Sequence, residues 1–402
     1  MKTAFLILLF SSISALAADF PSFDSFSAAY RAAGPSDRPR LAAEYLADLK
    51  ARNAYPIVDS QGDVVLLHQR SSDERNPRVI GEFKTTSASS LNWDPEGQAF
   101  APIVDGGELL AARFKLPIAA RVEYRIAYDD PKAPEPGKPP TVIKKSDPLN
   151  PVTVFNGIAD ADSSEIAMPG YRFPQLGEPS TRGTLHAVEA EWAKPAITIY
   201  LPAGYSKAKT YPVIYTADGD AWRKYMSLPD TLDRLIADRR IEPVIAVMID
   251  PAADRSGWYS FNPAYLKYLE RVIRYVDGEY STRPDPRSRI HLGTSAGGRA
   301  GIYVGFERPD LISNLALLSP ALAASLSYFE PYFSGKKRPD RRLKIWMSAG
   351  SYEAPILKDA QMIEKYFRSW GLKSKSLYTR EGHSYQAWRY KAPQALEYLL
   401  KP

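Results

Sequence analysis

Five consecutive residues set the chemistry open to this chain: Gly293-Thr294-Ser295-Ala296-Gly297. They spell G-x-S-x-G, the pattern of a nucleophile elbow, in which a serine sits on a sharp turn between a strand and a helix. The turn strains the backbone at the serine, so its neighbours must be small. It lifts the hydroxyl above the sheet edge and leaves the next backbone N–H free. The helix N-terminus behind favours developing negative charge. At average Gly and Ser usage, a chain this long holds such a pattern by chance roughly one time in ten. Context adds the weight: Arg289-Ile290-His291-Leu292 reads as a buried strand, and the residues after the turn, through Tyr303, read as a helix.

A serine nucleophile needs a base, and the base needs an orienting acid. With a nucleophile elbow, the chain order is Ser, acid, His. The chain has four histidines, His68, His186, His291 and His383, and only His383 follows Ser295. It stands in Arg380-Glu381-Gly382-His383-Ser384, after the last predicted strand, where a loop can deliver an imidazole. His291 lies inside the elbow strand and reads as structural, and His68 as a packed or surface residue. The acid must lie past a strand end between Ser295 and His383. Glu353 follows Met347-Ser348-Ala349-Gly350 by a few residues, at the carboxyl end of the sheet, where α/β sites form. Asp359 is the fallback. Glu307 and Asp310 follow the elbow helix on the wrong side of the sheet, Glu364 falls mid-helix, and Glu381 is too near His383 to orient it easily.

The oxyanion hole is expected to use the Ala296 N–H and one donor from Asp218-Gly219-Asp220-Ala221-Trp222, with Asp220 as the candidate. Trp222, Arg223, Arg255, Trp258 and Tyr259 lie on the approach loops. They are candidates to line a pocket for an aromatic acyl group, with plain packing as the other reading.

These residues need a scaffold. From residue 183 onward, apolar strands alternate with helices, which implies a mainly parallel sheet. Strands are predicted over 184–192, 196–201, 211–217, 244–249, 289–294, 311–318, 343–348 and 374–379, about eight in all. Helices are predicted over 228–238, 264–276, 355–370 and 393–400. Upstream, residues 23–53 read as helical, with Asp37 a helix cap and Leu41, Ala42, Tyr45, Leu46 and Leu49 on one face. A strand at 63–68 and a β pattern over 78–128 suggest a small sandwich. A Pro-rich loop follows at 131–140. The predicted division is a leader over 1–17, a helical extension over 18–56, a β-sandwich over 57–175 and an α/β-hydrolase domain over 176–402.

Composition narrows the function classes. The 402 residues are 45% apolar and 24% charged, ordinary for a globular protein, and carry a net charge of +6. There is no cysteine, which removes disulfides and thiolate metal sites. Asp160-Ala161-Asp162 and Asp218-Gly219-Asp220 lack the further ligands of a calcium loop. No metal or cofactor is expected. Met1-Lys2, the apolar run from Ala4 to Ile13 and Ala15-Leu16-Ala17 fit a cleaved export signal too short to span a bilayer, so a periplasmic or secreted location without a membrane anchor is expected. The basic balance suits an anionic small molecule or polysaccharide, and no basic run interleaved with aromatics points to nucleic acid.

Several segments together resemble the enterochelin esterase family of α/β-hydrolases, from about residue 78 onward. They are Asp147-Pro148-Leu149-Asn150-Pro151 with Met168-Pro169, Tyr211-Pro212 with Asp218-Gly219 and Trp222, and Ile249-Asp250 with Arg255 and Asn262. The elbow with Gly297-Gly298, Ala349-Gly350 with Glu353, and Gly382-His383 with Trp388 complete the set. The resemblance implies a β-sandwich before the hydrolase domain, cleavage of catecholate siderophore esters without a metal, and catalytic roles at Ser295, Glu353 and His383. Three features depart from the family pattern: Trp258-Tyr259 stands where Glu-Leu is frequent, the helical extension is additional, and an export signal is expected here whereas the best-known members are cytoplasmic. Feruloyl or acetyl esterases acting on plant polysaccharide share the architecture and are the alternative. A binding protein on an inactive hydrolase scaffold is the alternative of another class.

Overall fold

The computed structural model describes residues 20–401 apart from 85–92, 95, 131, 133–140, 158–160 and 323–325. The predicted leader over 1–17 and nearly all of the Pro-rich loop lie outside the described residues.

The C-terminal part is built on an eight-stranded sheet. Its strand order is Thr184–Ala187, Ile197–Leu201, Ile245–Ile249, Val213–Thr216, Arg289–Thr294, Asn314–Leu318, Lys344–Gly350 and Lys373–Thr379. The first two pairings are antiparallel and the other five parallel. The central strands are buried along their length, which is why they read as continuous apolar runs rather than alternating ones. One core cluster packs Val213, Tyr215, Ile245, Val247 and Leu315 with helices Pro263–Glu279, Ala296–Glu307 and Ala354–Ser369. The other packs Ile214, Leu292, Ala316 and Trp346 with Leu228–Ala237 and Tyr385–Leu400.

Two predictions about helices fail for local reasons. The expected 23–53 helix is two, Phe23–Ala32 and Arg38–Ala51, broken where Gly34-Pro35 interrupts. Asp37 precedes the second but makes no side-chain cap. The last helix starts at Tyr385 rather than Pro393, which lies inside it. Ser384 caps it by accepting the Ala387 N–H, fixing the start just after His383.

Upstream, a four-stranded sheet faces a six-stranded one. Leu66, Leu109, Val79, Tyr124 and Ile166 fill the space between them. Strands Val142–Lys145, Thr153–Asn156 and Ala161–Ala167 were not predicted: they are short and carry few apolar residues. The helical extension shares this core, with Phe26 stacked on Tyr45 at 3.9 Å between ring centres.

Candidate active site

Three neighbouring strands of the large sheet end in residues forced to positive φ: Asp218 (59°), Ser295 (53°) and Ser319 (49°). Each turn swings the chain sharply away from its strand, which opens one face above the carboxyl ends. Backbone hydrogen bonds tie two of them to the next strand of the sheet, from Ser295 N to Leu318 O at 2.9 Å and from Ser319 N to Ser348 O at 2.7 Å. A non-Gly residue so placed costs on the order of 1–3 kcal/mol and persists where its surroundings over-determine it. At the elbow, glycine is obligatory: a Cβ on Gly293 would sit 2.8 Å from Gly298 N.

The structure brings Ser295, His383 and Glu353 into one line. His383 Nε2 is 2.9 Å from Ser295 Oγ, and Nδ1 is 2.5 Å from Glu353 Oε2. Ser295 is half-buried while His383 and Glu353 are buried. The Trp388 indole meets the His383 ring edge-on at 4.7 Å and holds its plane. Glu353 precedes helix Ala354–Ser369, and Asp359, the fallback acid, lies within that helix. His291 is in the core with Nε2 2.7 Å from Tyr265 Oη, and burial pushes its pKa down to about 3. His68 is buried in the sandwich against Glu74 at 2.6 Å.

Ala296 is the first residue of the elbow helix, so its N–H has no intrahelical partner. Gly219, Asp220 and Ala221 open a second short helix, Gly219–Lys224. The Asp220 N–H lies within reach of the Asp250 carboxylate, and the Gly219 N–H beside it is the other candidate second donor. This turn is braced from outside: Arg255 donates to both Asp218 carboxylate oxygens at 2.7 and 2.8 Å, and Asp218 N donates to Tyr259 Oη at 2.9 Å. Burial raises the Asp218 pKa, and Arg255 opposes that rise.

The expected pocket lining divides. Trp222 and Tyr259 are fully buried and do not line the entrance. Trp222 packs under the sheet with Met226, Leu228 and Leu232, and Tyr259 is committed to Asp218. Trp258 is half-buried against Tyr265 and Tyr268. Arg223 pairs with Asp250 at 3.0 Å, so both approach arginines carry a carboxylate partner and neither is a free cation.

Two groups near the site escaped sequence reasoning. Ser319 Oγ donates to Glu353 Oε1, and only its position at a strand end before Pro320 hinted at it. Phe155, Tyr225 and Tyr385 form a half-exposed aromatic stack, with ring centres 4.3 Å apart for Phe155–Tyr225 and 5.3 Å for Tyr225–Tyr385. Tyr385 lies two residues beyond His383 and feels the charges of Asp218 and Arg255. Phe155 comes from the sandwich, 228 residues before His383 in sequence, so no local pattern connects them.

A mainly parallel eight-stranded sheet, with a serine on the turn after its fifth strand and a histidine loop after its eighth, makes the protein an α/β-hydrolase. Residues 192–399, more than half of the chain, match the family described as "Putative esterase", and the chain belongs to that family of hydrolases. Among solved structures, it is similar to the enterobactin esterase of Shigella flexneri, crystallised in the presence of enterobactin (TM-score 0.68, 17% identity, covering 84% of this chain and 92% of that one). The ferric enterobactin esterase of Salmonella typhimurium is similar too (TM-score 0.67, 18% identity, 85% and 95% coverage). At these identities the likeness is one of fold, and its coverage extends beyond the hydrolase domain. Among curated proteins, an endo-1,4-beta-xylanase/feruloyl esterase of Xylanibacter ruminicola is 25% identical over 222 residues, 50% of this chain but only 29% of that protein. Among the described residues no helix is long and apolar enough to cross a membrane.

Proposed function

We propose that this protein is a serine esterase acting through Ser295, His383 and Glu353 on the ester bonds of catecholate siderophores, outside the cytoplasm. The observation that carries the reading is the unbroken hydrogen-bonded line from Ser295 Oγ through the His383 ring to Glu353. Ser295 Oγ attacks the ester carbonyl carbon while His383 Nε2 takes its proton. Glu353 accepts from Nδ1–H, which fixes the tautomer and stabilises the imidazolium. The carbonyl oxygen becomes an oxyanion held by the Ala296 N–H and a donor from the Gly219–Asp220 turn. Collapse breaks the ester C–O bond, and His383 returns the proton to the departing alcohol. Water then attacks the acyl-serine carbonyl while His383 takes its proton; collapse breaks the bond to Ser295 Oγ, His383 returns the proton to that oxygen, and the acid departs.

Three observations support the substrate class. The fold is shared with enterobactin esterases over most of both chains. The Phe155–Tyr225–Tyr385 stack offers aromatic faces beside the site. The net charge of +6 favours encounter with an anion, an effect that weakens as salt rises. A feruloyl ester is the second reading, favoured by the sequence similarity to the Xylanibacter ruminicola protein.

The test is a mass-spectrometric comparison of enterobactin-type trilactones, feruloyl-arabinose and acetylated sugars, with Ser295→Ala as control. Faster Ser295-dependent cleavage of the trilactone, declining with ionic strength, is the expected result. Equal rates on feruloyl-arabinose without salt dependence would transfer the assignment to a carbohydrate esterase. Binding with no hydrolysis of any ester, p-nitrophenyl acetate included, would mark a non-catalytic scaffold.

A further inference from the structure

The loop that carries His383 is held largely by the sandwich. Its first residue is joined to the sandwich by backbone: Arg121 N donates to Arg380 O at 3.0 Å, beside a bridge from Ala120 to Arg380. Its last residue is reached by a side chain, because Arg121 Nη1 lies 3.4 Å from Ser384 Oγ, the cap of the following helix. The Arg121 guanidinium is fully buried. It also donates from Nε to Glu165 at 2.8 Å and from Nη2 to Glu123 at 3.0 Å, and lies over the Tyr390 ring. Between the two anchored ends, Glu381 accepts from Tyr171 Oη at 2.7 Å and pairs with Lys391. Glu82 presses on the next residue: a Cβ on Gly382 would stand 2.5 Å from Glu82 Oε1. Glu82, Glu123, Glu165 and Glu381 thus share the buried cluster with the cations of Arg121 and Lys391. Burial, then the Glu123 carboxylate, pushes the Glu82 pKa well above the usual range, favouring its neutral form.

So much buried charge is a poor stabiliser, since desolvation consumes most of the Coulombic gain. What it provides is a unique geometry at the residues flanking His383. Given the reading of Ser295, His383 and Glu353 above, we propose that Arg121 is a positioning residue for His383, and that the sandwich is thereby part of the catalytic apparatus rather than an appendage. Arg121 touches no reacting atom: it acts through Arg380 and Ser384, fixing where the imidazole stands relative to Ser295 Oγ. Misplacement by about an ångström costs on the order of a hundredfold in rate, so a loosened loop registers in kcat.

The experiment compares Arg121→Gln, Arg121→Lys and Tyr171→Phe with the unaltered protein on p-nitrophenyl acetate, with active sites counted by the acyl-enzyme burst. The expected result is a kcat per titrated site down about tenfold to a hundredfold in Arg121→Gln, with KM within twofold. Arg121→Lys should restore part of that loss, and Tyr171→Phe should lower kcat a few-fold. A purely structural role moves the number of active sites and Tm but leaves kcat per site unchanged, and that outcome overturns the proposal. Should Arg121→Gln not fold, Arg121→Lys decides by the same criterion. Hydrolysis that survives unchanged in Ser295→Ala would instead refute the Ser295 reading, so the two failures are distinct.

Discussion

Ser319 Oγ donates to Glu353 Oε1 at 2.6 Å, on the oxygen opposite the one that faces His383. Gly350 N donates to the same oxygen, and Trp388 Nε1 donates to Ser319 Oγ at 2.9 Å. The carboxylate therefore has one oxygen pinned by strand-end donors and the other reserved for the imidazole. Ser319→Ala removes one pin and leaves the Trp388 indole N–H without its acceptor. A buried hydrogen bond lost this way costs about 1–2 kcal/mol, so kcat should fall roughly tenfold with KM little changed. Steady-state kinetics on p-nitrophenyl acetate check this, and an unaltered kcat would show that Gly350 alone fixes Glu353.

Ser295→Ala and His383→Ala should each lower esterase turnover by about ten-thousandfold or more while the fold persists, because each removes one member of a cooperating unit. Glu353→Ala should be milder, and Asp359→Ala should keep most of the rate. The discriminating result is the last pair: full activity in Glu353→Ala with loss in Asp359→Ala would move the acid role to Asp359.

Arg255 is bound to Asp218 through two hydrogen bonds, and Asp218 stands at the turn proposed to supply the second oxyanion donor. Arg255→Ala strands a buried carboxylate, at about 1–2 kcal/mol, less than for a fully buried pair because the Arg255 side chain is 39% exposed. The expected loss in kcat/KM is then similar on catecholate esters and on small acetyl esters. A loss confined to catecholate esters would mean that the guanidinium reads the substrate directly.

The aromatic stack makes the opposite prediction. Phe155→Ala and Tyr225→Ala should raise KM for a catecholate ester by about three- to tenfold, the scale of one aromatic contact. Hydrolysis of vinyl acetate, which has no ring to place, should stay within twofold. Parallel changes on both substrates would show that the stack only braces the domain interface.

His291 links stability to pH through burial. Its folded pKa of about 3 lies below the ordinary 6.5, so its stabilising contribution is present above pH 6.5. As pH falls from 6.5 towards 3, the unfolded chain takes up a proton that the fold refuses, at about 1.4 kcal/mol per pH unit. Melting temperatures over this window should drop less steeply in His291→Gln than in the unaltered chain. Equal slopes would mean that other groups govern acid unfolding.

The sequence by itself determined the scaffold of the large sheet and the order of its functional residues. Continuous apolar runs marked the buried parallel strands, and Gly293 and Gly297 marked a turn that tolerates no side chains. With only His383 after Ser295, position alone named a base. Elimination along the chain named Glu353, and the structure places both within hydrogen-bond reach of each other. Local pattern also misled: Pro393 looked like a helix start yet lies inside one, because Ser384 caps the helix earlier. Trp222 and Tyr259 read as pocket lining, but side-chain direction depends on what packs beneath a loop. Tertiary structure alone decided the rest. Ser319 meets Glu353 because neighbouring strands end side by side. Phe155 meets Tyr385, and Arg121 meets Ser384, because the sandwich docks on the histidine loop. A strand's apolar period is written in adjacent residues, whereas a contact between residues 263 positions apart depends on how the separate sheets pack, and that information is spread over the whole chain.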